Sequence, residues 1–400
     1  MNNKLLITKL DNRIVSAFFR DMEMIQVSIN KPKEAEILGN VYLGKVQNIV
    51  TNIKAAFIEI ADGRVCYYPI NENQYPIMSN SYIDDKAKTK LKIGDELIVQ
   101  VTREGVKSKA PVVSSNINIT GKYVALTHGK NKLGVSKKIR ASNERSRLRK
   151  IAKQFANKSY GFVFRTNAAN ISEEKIVSEI KKLIKIYDDI RTYGVHKNRF
   201  SLIYEAPPTY ICDIRDGYSD NVDEFITDDK ELYDKVKDYL EHYQPEDLPK
   251  LRFYNDKMIS LANLYGLRSK IGEAVKPLVW LKSGGSLVIQ PTEALTVIDV
   301  NTGKAVAGKK KVQETFLKVN LEAAKEIAKQ IRLRNISGII IIDFIDMELD
   351  KHNELLMETL NGYLNKDPIK TTLVDMTALG LVEVTRKKVR KPLHEQVKES

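Results

Sequence analysis

Two apolar runs, LTVIDVN (residues 295–301) and GIIIIDFIDM (residues 338–347), have the β-branched composition of buried strands. Between them, residues 312–334 carry apolar side chains at helical spacing on one face, among them Phe316 and Ile327. A strand, a helix and a strand with a crossover of this length form a parallel βαβ unit. The preceding residues, 283–303, have the pattern of a hairpin of two strands. This part of the chain is therefore predicted to be an α/β fold.

An aspartate lies near the end of each predicted strand, Asp299 in the first and Asp343 in the second. If the strands are parallel neighbours, both carboxylates leave the sheet at one edge, roughly 5 Å apart, and ligand sites of α/β sheets collect there. Carboxylate oxygens with added water suit Mg²⁺, and Asn301 could orient a water or a substrate oxygen. Alternatively, each aspartate only caps the loop after its strand. Asp346 lies at the exit of the second strand, where its side chain has a different direction.

The charge balance indicates a polyanionic partner. Basic residues exceed acidic ones by 65 to 51 and the formal net charge is +14, which favours nucleic acid or an anionic membrane surface. The alternative is a basic protein that its charge keeps soluble. Cys66 and Cys212 are too few for a disulfide framework or a four-ligand zinc site. Without a signal-like start or a membrane-length apolar run, we expect a cytoplasmic location and no membrane insertion.

The first 120 residues read as short strands separated by turns. Several β-rich segments within residues 36–120 predict a small antiparallel barrel. Phe57 and Tyr67 lie on separate strands of this barrel, where aromatic rings could stack on unpaired bases, and Lys109 could contact a phosphate or a base edge. Alternatively, both rings fill the barrel core.

Residues 121–160 are rich in Lys and Arg and hold one acidic residue. Helices are predicted over about 141–156 and 172–190, with Ser172 as the N-cap of the second. Arg165 and Thr166 follow a short strand, and a guanidinium beside a hydroxyl suits a terminal phosphate. An ordinary salt bridge and turn is the alternative. Within residues 205–275, TYICDI (209–214) is interpreted as a strand among acid-rich helices.

These segments together resemble the bacterial ribonuclease E/G family over essentially the whole chain. The matching segments are residues 39–70, 121–139, 161–169, 295–303, 315–347 and 379–393. The resemblance implies a multidomain α/β protein with the following parts: an RNase H-like subdomain split between 1–35 and 205–275, an S1-type OB barrel at 36–120, a 5′-sensor domain at 121–204, and a DNase I-like catalytic subdomain at 276–400.

The resemblance also assigns site residues. It implies that Asp299 and Asp343 hold catalytic Mg²⁺ with support from Asn301. It implies RNA contacts by Phe57, Tyr67 and Lys109, and 5′-phosphate sensing by Gly121, Ala125, Arg165, Thr166 and Lys370. Lys370 stands where the family pattern has an arginine, which keeps the charge but loses the bidentate fork. Ala125 is a mild departure at a position that lines the sensor backbone.

The activity implied is Mg²⁺-dependent cleavage of single-stranded RNA, stimulated by a 5′-monophosphate, in ribosomal RNA processing or messenger decay. The products would carry 5′-phosphate and 3′-hydroxyl ends. The chain ends without the Cys-x-x-Cys zinc link common in the family, so we expect no zinc and no zinc-linked dimer, while a homo-oligomer is possible. The alternatives are a non-catalytic RNA-binding protein of the same fold and a DNA nuclease, which the S1-type segment disfavours.

Overall fold

The computed structural model describes residues 2–30, 36–73, 75–79, 90–105, 109–129, 133–155, 157–216, 222–303 and 312–398. The chain divides into two compact units. The first consists of Met1–Glu34, Thr209–Ile214 and Tyr218–Ser400, and the second of Ala35–Pro208 and Arg215–Gly217. Both units combine strands with helices, so the protein is of the mixed α/β class.

The secondary structure elements are numbered in chain order. The strands are β1 (Asn3–Leu10), β2 (Arg13–Arg20), β3 (Glu23–Asn30), β4 (Val41–Val50), β5 (Ala55–Glu59), β6 (Val65–Pro69), β7 (Ile77–Met78), β8 (Glu96–Arg103), β9 (Val112–Ser114), β10 (Asn118–Thr120), β11 (Val124–His128), β12 (Leu133–Val135), β13 (Tyr160–Phe164), β14 (Leu202–Tyr204), β15 (Glu224–Thr227), β16 (Leu251–Phe253), β17 (Leu278–Trp280), β18 (Ser286–Pro291), β19 (Leu295–Asn301), β20 (Gly338–Asp343), β21 (Thr371–Met376) and β22 (Leu381–Arg386). The α-helices are α1 (Ser142–Lys153), α2 (Glu173–Gly194), α3 (Thr209–Arg215), α4 (Lys230–Tyr243), α5 (Leu261–Leu264), α6 (Leu267–Ala274), α7 (Val312–Leu333), α8 (Asp350–Leu364) and α9 (Leu393–Lys398).

The second unit contains the predicted barrel. Its strands follow the order β4-β5-β6-β9-β8, and β8 pairs back with β4 to close the ring. Alternate residues point inward, as the two-residue period of a strand requires. Ile58 and Tyr68 are fully buried in this core together with Val46 and Val99. The prediction of a small barrel is therefore confirmed, and the barrel is OB-like. Its neighbouring strands are antiparallel except for β6 and β9, which pair in parallel.

A second sheet of this unit, in the order β10-β11-β13-β12, packs against α1 and α2. Helix α2 buries Ile176, Ile180 and Leu183, whose spacing of three or four residues places them on one face. Ser172 occupies its N-cap with an extended backbone, although its side chain caps no N–H group. Both helices predicted for this region are confirmed within a few residues at each end.

In the first unit, one sheet has the order β16-β15-β1-β2-β3, with β1, β15 and β16 parallel. The interpretation of residues 209–214 as a strand is wrong, because they form α3. Tyr210, Ile211 and Ile214 face the core with a helical spacing. Over six residues the apolar pattern does not separate a strand from one turn of buried helix, and the packing against the sheet decides between them.

The other sheet of the first unit has the order β17-β18-β19-β20-β22-β21. Strands β18 and β19 form the predicted hairpin, and β19 and β20 are parallel and joined through α7. Helices α7 and α8 cover one face, where Ile298, Ile327 and Ile342 are fully buried. The predicted βαβ unit is confirmed. Within the described residues, no helix is both long and apolar enough to cross a membrane.

Candidate functional site

Asp299 and Asp343 are direct register partners at the carboxyl ends of β19 and β20. Parallel neighbouring strands lie about 5 Å apart. The residues before them, Ile298 and Ile342, are fully buried under the helices, so the alternation of the strands turns both carboxylates to the opposite face. Asp299 is half-buried and Asp343 is exposed. The sheet therefore places the two carboxylates on neighbouring parallel strands and on the same edge, as the sequence predicted.

The pair lies in an electrostatic setting that favours a cation. Partial burial, then the charges of Asp299 and Asp346, raise the pKa of Asp343. Asn301 lies two residues after Asp299 on the same face, and its Nδ2 donates to Asp299 Oδ2 over 2.7 Å. This bond orients one carboxylate oxygen and leaves the other for a ligand. The mutual repulsion of these carboxylates is the kind of energy that a bound cation would offset.

The donor set suits a hard divalent cation. It consists of two carboxylates and an amide on one sheet edge, and Mg²⁺ usually takes one or two carboxylates and keeps several waters. Among the residues that the structure describes, no group of three or more His, Cys, Asp or Glu side chains could hold a metal. A closed all-protein cage is therefore absent from the described part, while an open site at Asp299 and Asp343 fits.

Helix α7 holds the loop that follows Asp343. Asn320 is fully buried, its Nδ2 donates to the Ile345 carbonyl over 2.8 Å, and its Oδ1 accepts from the Ile345 N–H over 3.1 Å. One side chain therefore fixes both polar groups of a residue that lies between Asp343 and Asp346. The sequence analysis missed this role, because an asparagine within a helix carries no signal of a distant partner.

The same helix holds the turn beside Asn301. Glu322 accepts from the N–H groups of Lys282 and Ser283 over 2.7 and 3.1 Å. The glycines after this turn make room for β19, since a Cβ on Gly285 would lie 2.8 Å from the Asn301 carbonyl oxygen. Helix α7 therefore hydrogen-bonds to both segments that flank the candidate site, the loop after Asp343 and the turn at Lys282 and Ser283.

Phe57 and Tyr67 are register partners on β5 and β6 of the barrel. Their ring centroids are 6.2 Å apart and the rings meet edge to face. Both are half-buried, whereas their neighbours Ile58 and Tyr68 fill the core. The alternative that Phe57 and Tyr67 belong to the barrel core is therefore wrong. Both rings lie on the outer surface, because strand alternation assigns the core to the adjacent residues.

Lys109 lies close to this aromatic pair in the fold. It is exposed, and two residues later the Pro111 carbonyl accepts from the Tyr67 N–H over 2.8 Å. The structure thus brings Phe57, Tyr67 and Lys109 to one region of the barrel surface. Such a combination of rings and a cation is compatible with an unpaired nucleic acid strand.

Arg165 and Gly121 are in direct contact in the second unit, because Arg165 Nη1 donates to the Gly121 carbonyl over 2.8 Å. The same nitrogen lies 2.8 Å from Asp216 Oδ1. Thr166 shares a hydrogen bond of 2.9 Å with Ser136. Arg165 therefore already has an acidic partner, which the sequence did not indicate because Asp216 lies far away along the chain.

Glu179 organises the backbone on which Gly121 and Ala125 lie. Its carboxylate accepts from the N–H groups of Lys122, Tyr123 and Val124 over 2.7 to 2.8 Å. Burial raises the pKa of Glu179, and the three N–H groups and the charge of Arg165 oppose that shift. Ala125 is buried on β11, opposite Val163 of β13.

Lys370 lies in the first unit, immediately before β21. Its side chain is exposed, and its carbonyl accepts from the Lys387 N–H over 2.9 Å. Its neighbour Thr371 is the register partner of Arg386. Lys370 thus belongs to the end of this sheet opposite Asp343, since β22 pairs with β20 through Arg386 at Gly338 and through Leu381 at Asp343.

Comparison with known proteins agrees with these features. A sequence model of the Ribonuclease E/G family matches residues 118–389. Ribonuclease G of Haemophilus influenzae is 30% identical over 400 residues, covering 98% of this chain and 80% of that protein. Ribonuclease G of Escherichia coli K12 is 29% identical, covering 98% and 81%. Ribonuclease E of Synechocystis is 32% identical, covering 98% of this chain and 58% of that protein. The chain therefore belongs to the ribonuclease E/G family of endoribonucleases.

Proposed function

We propose that this endoribonuclease depends on Mg²⁺, cuts single-stranded RNA and leaves 5′-phosphate and 3′-hydroxyl ends. The observation that carries the proposal is the register of Asp299 with Asp343, supported by the hydrogen bond from Asn301. Ribosomal precursor and messenger RNA are the substrate classes we propose, in the cytoplasm. The protein could work as a homo-oligomer, for which we invoke no zinc.

We also propose an assignment of the parts of the fold. The barrel would be an S1-type RNA-binding domain over residues 36–120, and residues 121–204 a 5′-sensor domain. Residues 1–35 with 205–275 would form an RNase H-like subdomain, and residues 276–400 a DNase I-like catalytic subdomain. The closed barrel and the βαβ unit with the aspartates at its edge support this assignment.

In the proposed mechanism, Asp299 and Asp343 would hold Mg²⁺. When bound, this ion supplies positive charge and Lewis acidity at the scissile phosphate. Because Asp299 and Asp343 would hold the ion, they would determine where along the sheet edge the scissile phosphate binds. Asn301 keeps the Asp299 carboxylate in one orientation, because its side-chain amide donates to only one oxygen. Asn320 holds the loop after Asp343, so that the second carboxylate keeps its direction.

Residues of the second unit would select the RNA. Phe57 and Tyr67 would stack on unpaired bases and Lys109 would contact the backbone. Arg165, Thr166, Gly121 and Ala125 of the second unit would form a sensor for a 5′-monophosphate, and Lys370 of the first unit is proposed as a further residue of 5′-end sensing. Because Asp216 already pairs with Arg165, a phosphate must share or displace that carboxylate. We therefore expect a modest stimulation rather than an absolute requirement for the 5′-phosphate.

Cleavage of a 5′-monophosphorylated single-stranded RNA, with Mg²⁺ or with EDTA, tests the proposal. Asp299→Asn and Asp343→Asn should each lower the cleavage rate by at least about 100-fold, while RNA binding persists. Asp346→Asn is the matched control, since Asp346 lies in the loop after β20, three residues beyond Asp343 and outside the register pair, and it should keep most of the activity. Binding without cleavage by the unsubstituted protein would instead indicate a non-catalytic RNA-binding protein, and equal cleavage of DNA would indicate a general nuclease.

The sensor assignment needs a separate measurement. The ratio of rates on 5′-monophosphate and 5′-hydroxyl RNA should exceed one and fall toward one in Arg165→Lys, which keeps the charge but loses the fork. A 5′-triphosphate RNA and mapping of both product ends complete the assay. Equal rates on all three substrates would remove the sensor role of Arg165 and Thr166 and leave the catalytic proposal intact.

A further inference from the structure

Trp280 is the single tryptophan of the sequence and is 69% exposed in β17. Covering an aromatic ring of this size is favourable, so a planar partner stacked on it would gain binding free energy. Its neighbour Val279 is less exposed and packs against the core beneath the sheet. The alternation of β17 therefore turns Trp280 to the face away from α7 and α8.

That face is the one that carries the candidate catalytic side chains. Trp280 pairs with Ser286, and Ser286 pairs with Asn301, so the three residues lie in one cross-strand row. Asp299 lies two residues before Asn301 on β19 and therefore on the same face. Two strand spacings separate β17 from β19, which places Trp280 about 10 Å from Asn301. About three stacked nucleotides, at about 3.4 Å each, span that distance.

The surroundings of Trp280 suit a nucleobase. Leu278 is 43% exposed in the neighbouring row, which continues through Val288 to Asp299. Lys282 is exposed two residues after Trp280. An aromatic ring, an apolar side chain and a nearby cation are the elements of a single-strand stacking platform.

From this placement we infer that Trp280 stacks on an unpaired base of the RNA whose scissile phosphate lies at Asp299 and Asp343. The inference rests on the proposed function and adds a base-binding subsite on the catalytic sheet itself. Trp280 would hold the strand a few nucleotides from the cut, by stacking on one of its bases. Stacking accepts every base, so this subsite selects unpaired RNA rather than a particular sequence.

RNA is the occupant that the geometry favours over a second copy of the chain. A specific protein interface buries about 800 Å² on each partner, whereas the exposed large apolar side chains of β17 are Leu278 and Trp280. The row of Trp280 also runs directly into Asn301, next to the aspartate pair. A strand that lies on the aspartate pair and follows this row would pass within reach of the Trp280 ring.

The single tryptophan makes the inference measurable in the intact protein. With EDTA present to prevent cleavage, a 5′-monophosphorylated single-stranded RNA should quench the tryptophan fluorescence as it binds. Single abasic nucleotides placed along that RNA should abolish the quenching only at positions within about three nucleotides of the cleavage site. Trp280→Ala should weaken RNA binding, followed by anisotropy of a labelled RNA, by about 5- to 100-fold. Trp280→Phe should retain part of the affinity.

Tyr243→Ala is the matched control, because Tyr243 is an aromatic residue that is 53% exposed on α4, outside this sheet. It should bind and cut RNA like the unsubstituted protein. If RNA is bound and cut but the fluorescence and the Trp280→Ala affinity do not change, the inference is wrong and the proposed function stands. If RNA is bound and Asp299→Asn cuts normally, the proposed function fails first. A fluorescence change with protein concentration alone would assign the face to contact between copies and overturn the inference.

Discussion

Replacing Asn320 by leucine should loosen the catalytic edge of the sheet. The substitution removes two hydrogen bonds, from Asn320 Nδ2 to the Ile345 carbonyl over 2.8 Å and from the Ile345 N–H to Asn320 Oδ1 over 3.1 Å. Asn320 is fully buried, so water does not readily replace it. Leaving a partly buried peptide group without partners costs about 1–3 kcal/mol for each lost partner. Two lost partners therefore lower the expected free energy of unfolding by about 2–6 kcal/mol.

The same substitution should also weaken the metal site. Ile345 lies between Asp343 and Asp346, so a released loop lets the Asp343 carboxylate change direction. Loss of an outer partner that orients a ligand weakens metal binding by about 10- to 100-fold. Calorimetric titration with Mg²⁺ in the absence of RNA measures this directly, and the Mg²⁺ midpoint of cleavage should shift by the same factor.

Gln330→Leu separates positioning from stability. Gln330 is buried on the same helix, but its side chain bonds to Glu326 and Arg334 and not to the loop after Asp343. It should destabilise the protein and leave Mg²⁺ affinity unchanged. If Asn320→Leu and Gln330→Leu show the same Mg²⁺ affinity in their folded fractions, Asn320 is only a stability residue and the reasoning is wrong.

Three further predictions concern other contacts. Asp367→Ala removes the carboxylate that lies 2.7 Å from the buried guanidinium of Arg386. Chemical denaturation should show that the free energy of unfolding falls by about 3–5 kcal/mol. The double variant Asp367→Leu with Arg386→Met should recover part of this loss. Gly121→Ala places a Cβ 2.5 Å from the Glu179 carboxyl carbon; since three N–H groups fix that carboxylate, we expect a loss of about 1–3 kcal/mol, and an unchanged melting temperature would contradict this. The guanidinium of Arg147 donates to Glu144 over 2.7 and 2.9 Å, and it lowers the pKa of Glu144 from 4.5 together with the N–H group of Asn170. The stabilisation that the ionised Glu144 gives to the folded protein is therefore complete above pH 4.5. It is lost as the pH falls through the folded-state pKa. Glu144→Gln should therefore flatten the stability curve below about pH 4.5, and an identical acid profile in both proteins would refute the assignment.

The sequence predicted those parts of the site whose signal is local. Apolar runs, helical spacing and crossover length identify β19, α7 and β20, and together they place Asp299 beside Asp343. Two contacts could not be predicted, because each joins residues that are distant in sequence: the ion pair of Arg165 with Asp216 and the hydrogen bond of Asn320 with Ile345. No local period records which polar side chains meet after folding.

The secondary structure of a short segment was predicted wrongly for a different reason. Residues 209–214 contain too few residues for a period of 2.0 or 3.6 to be distinguished, and their burial against the sheet selects the helix α3. Sequence patterns do not single out Trp280, because one tryptophan in a three-residue strand has no periodic pattern around it. Its meaning depends on the row that it shares with Ser286 and Asn301, which only the strand register supplies.

The geometry of the candidate metal site depends on α7 as well as on the two strands. The strands supply the carboxylates, whereas Asn320 and Glu322 on α7 hold the two loops that flank them. These two side chains are two residues apart, so they emerge about 200° apart around the helix. Asn320 restrains the loop after Asp343, and Glu322 restrains the turn beside Asn301. A shift of α7 would therefore move the loop after Asp343 and the turn beside Asn301 together. Substitutions that alter the packing of α7 should affect metal affinity even where they touch neither aspartate.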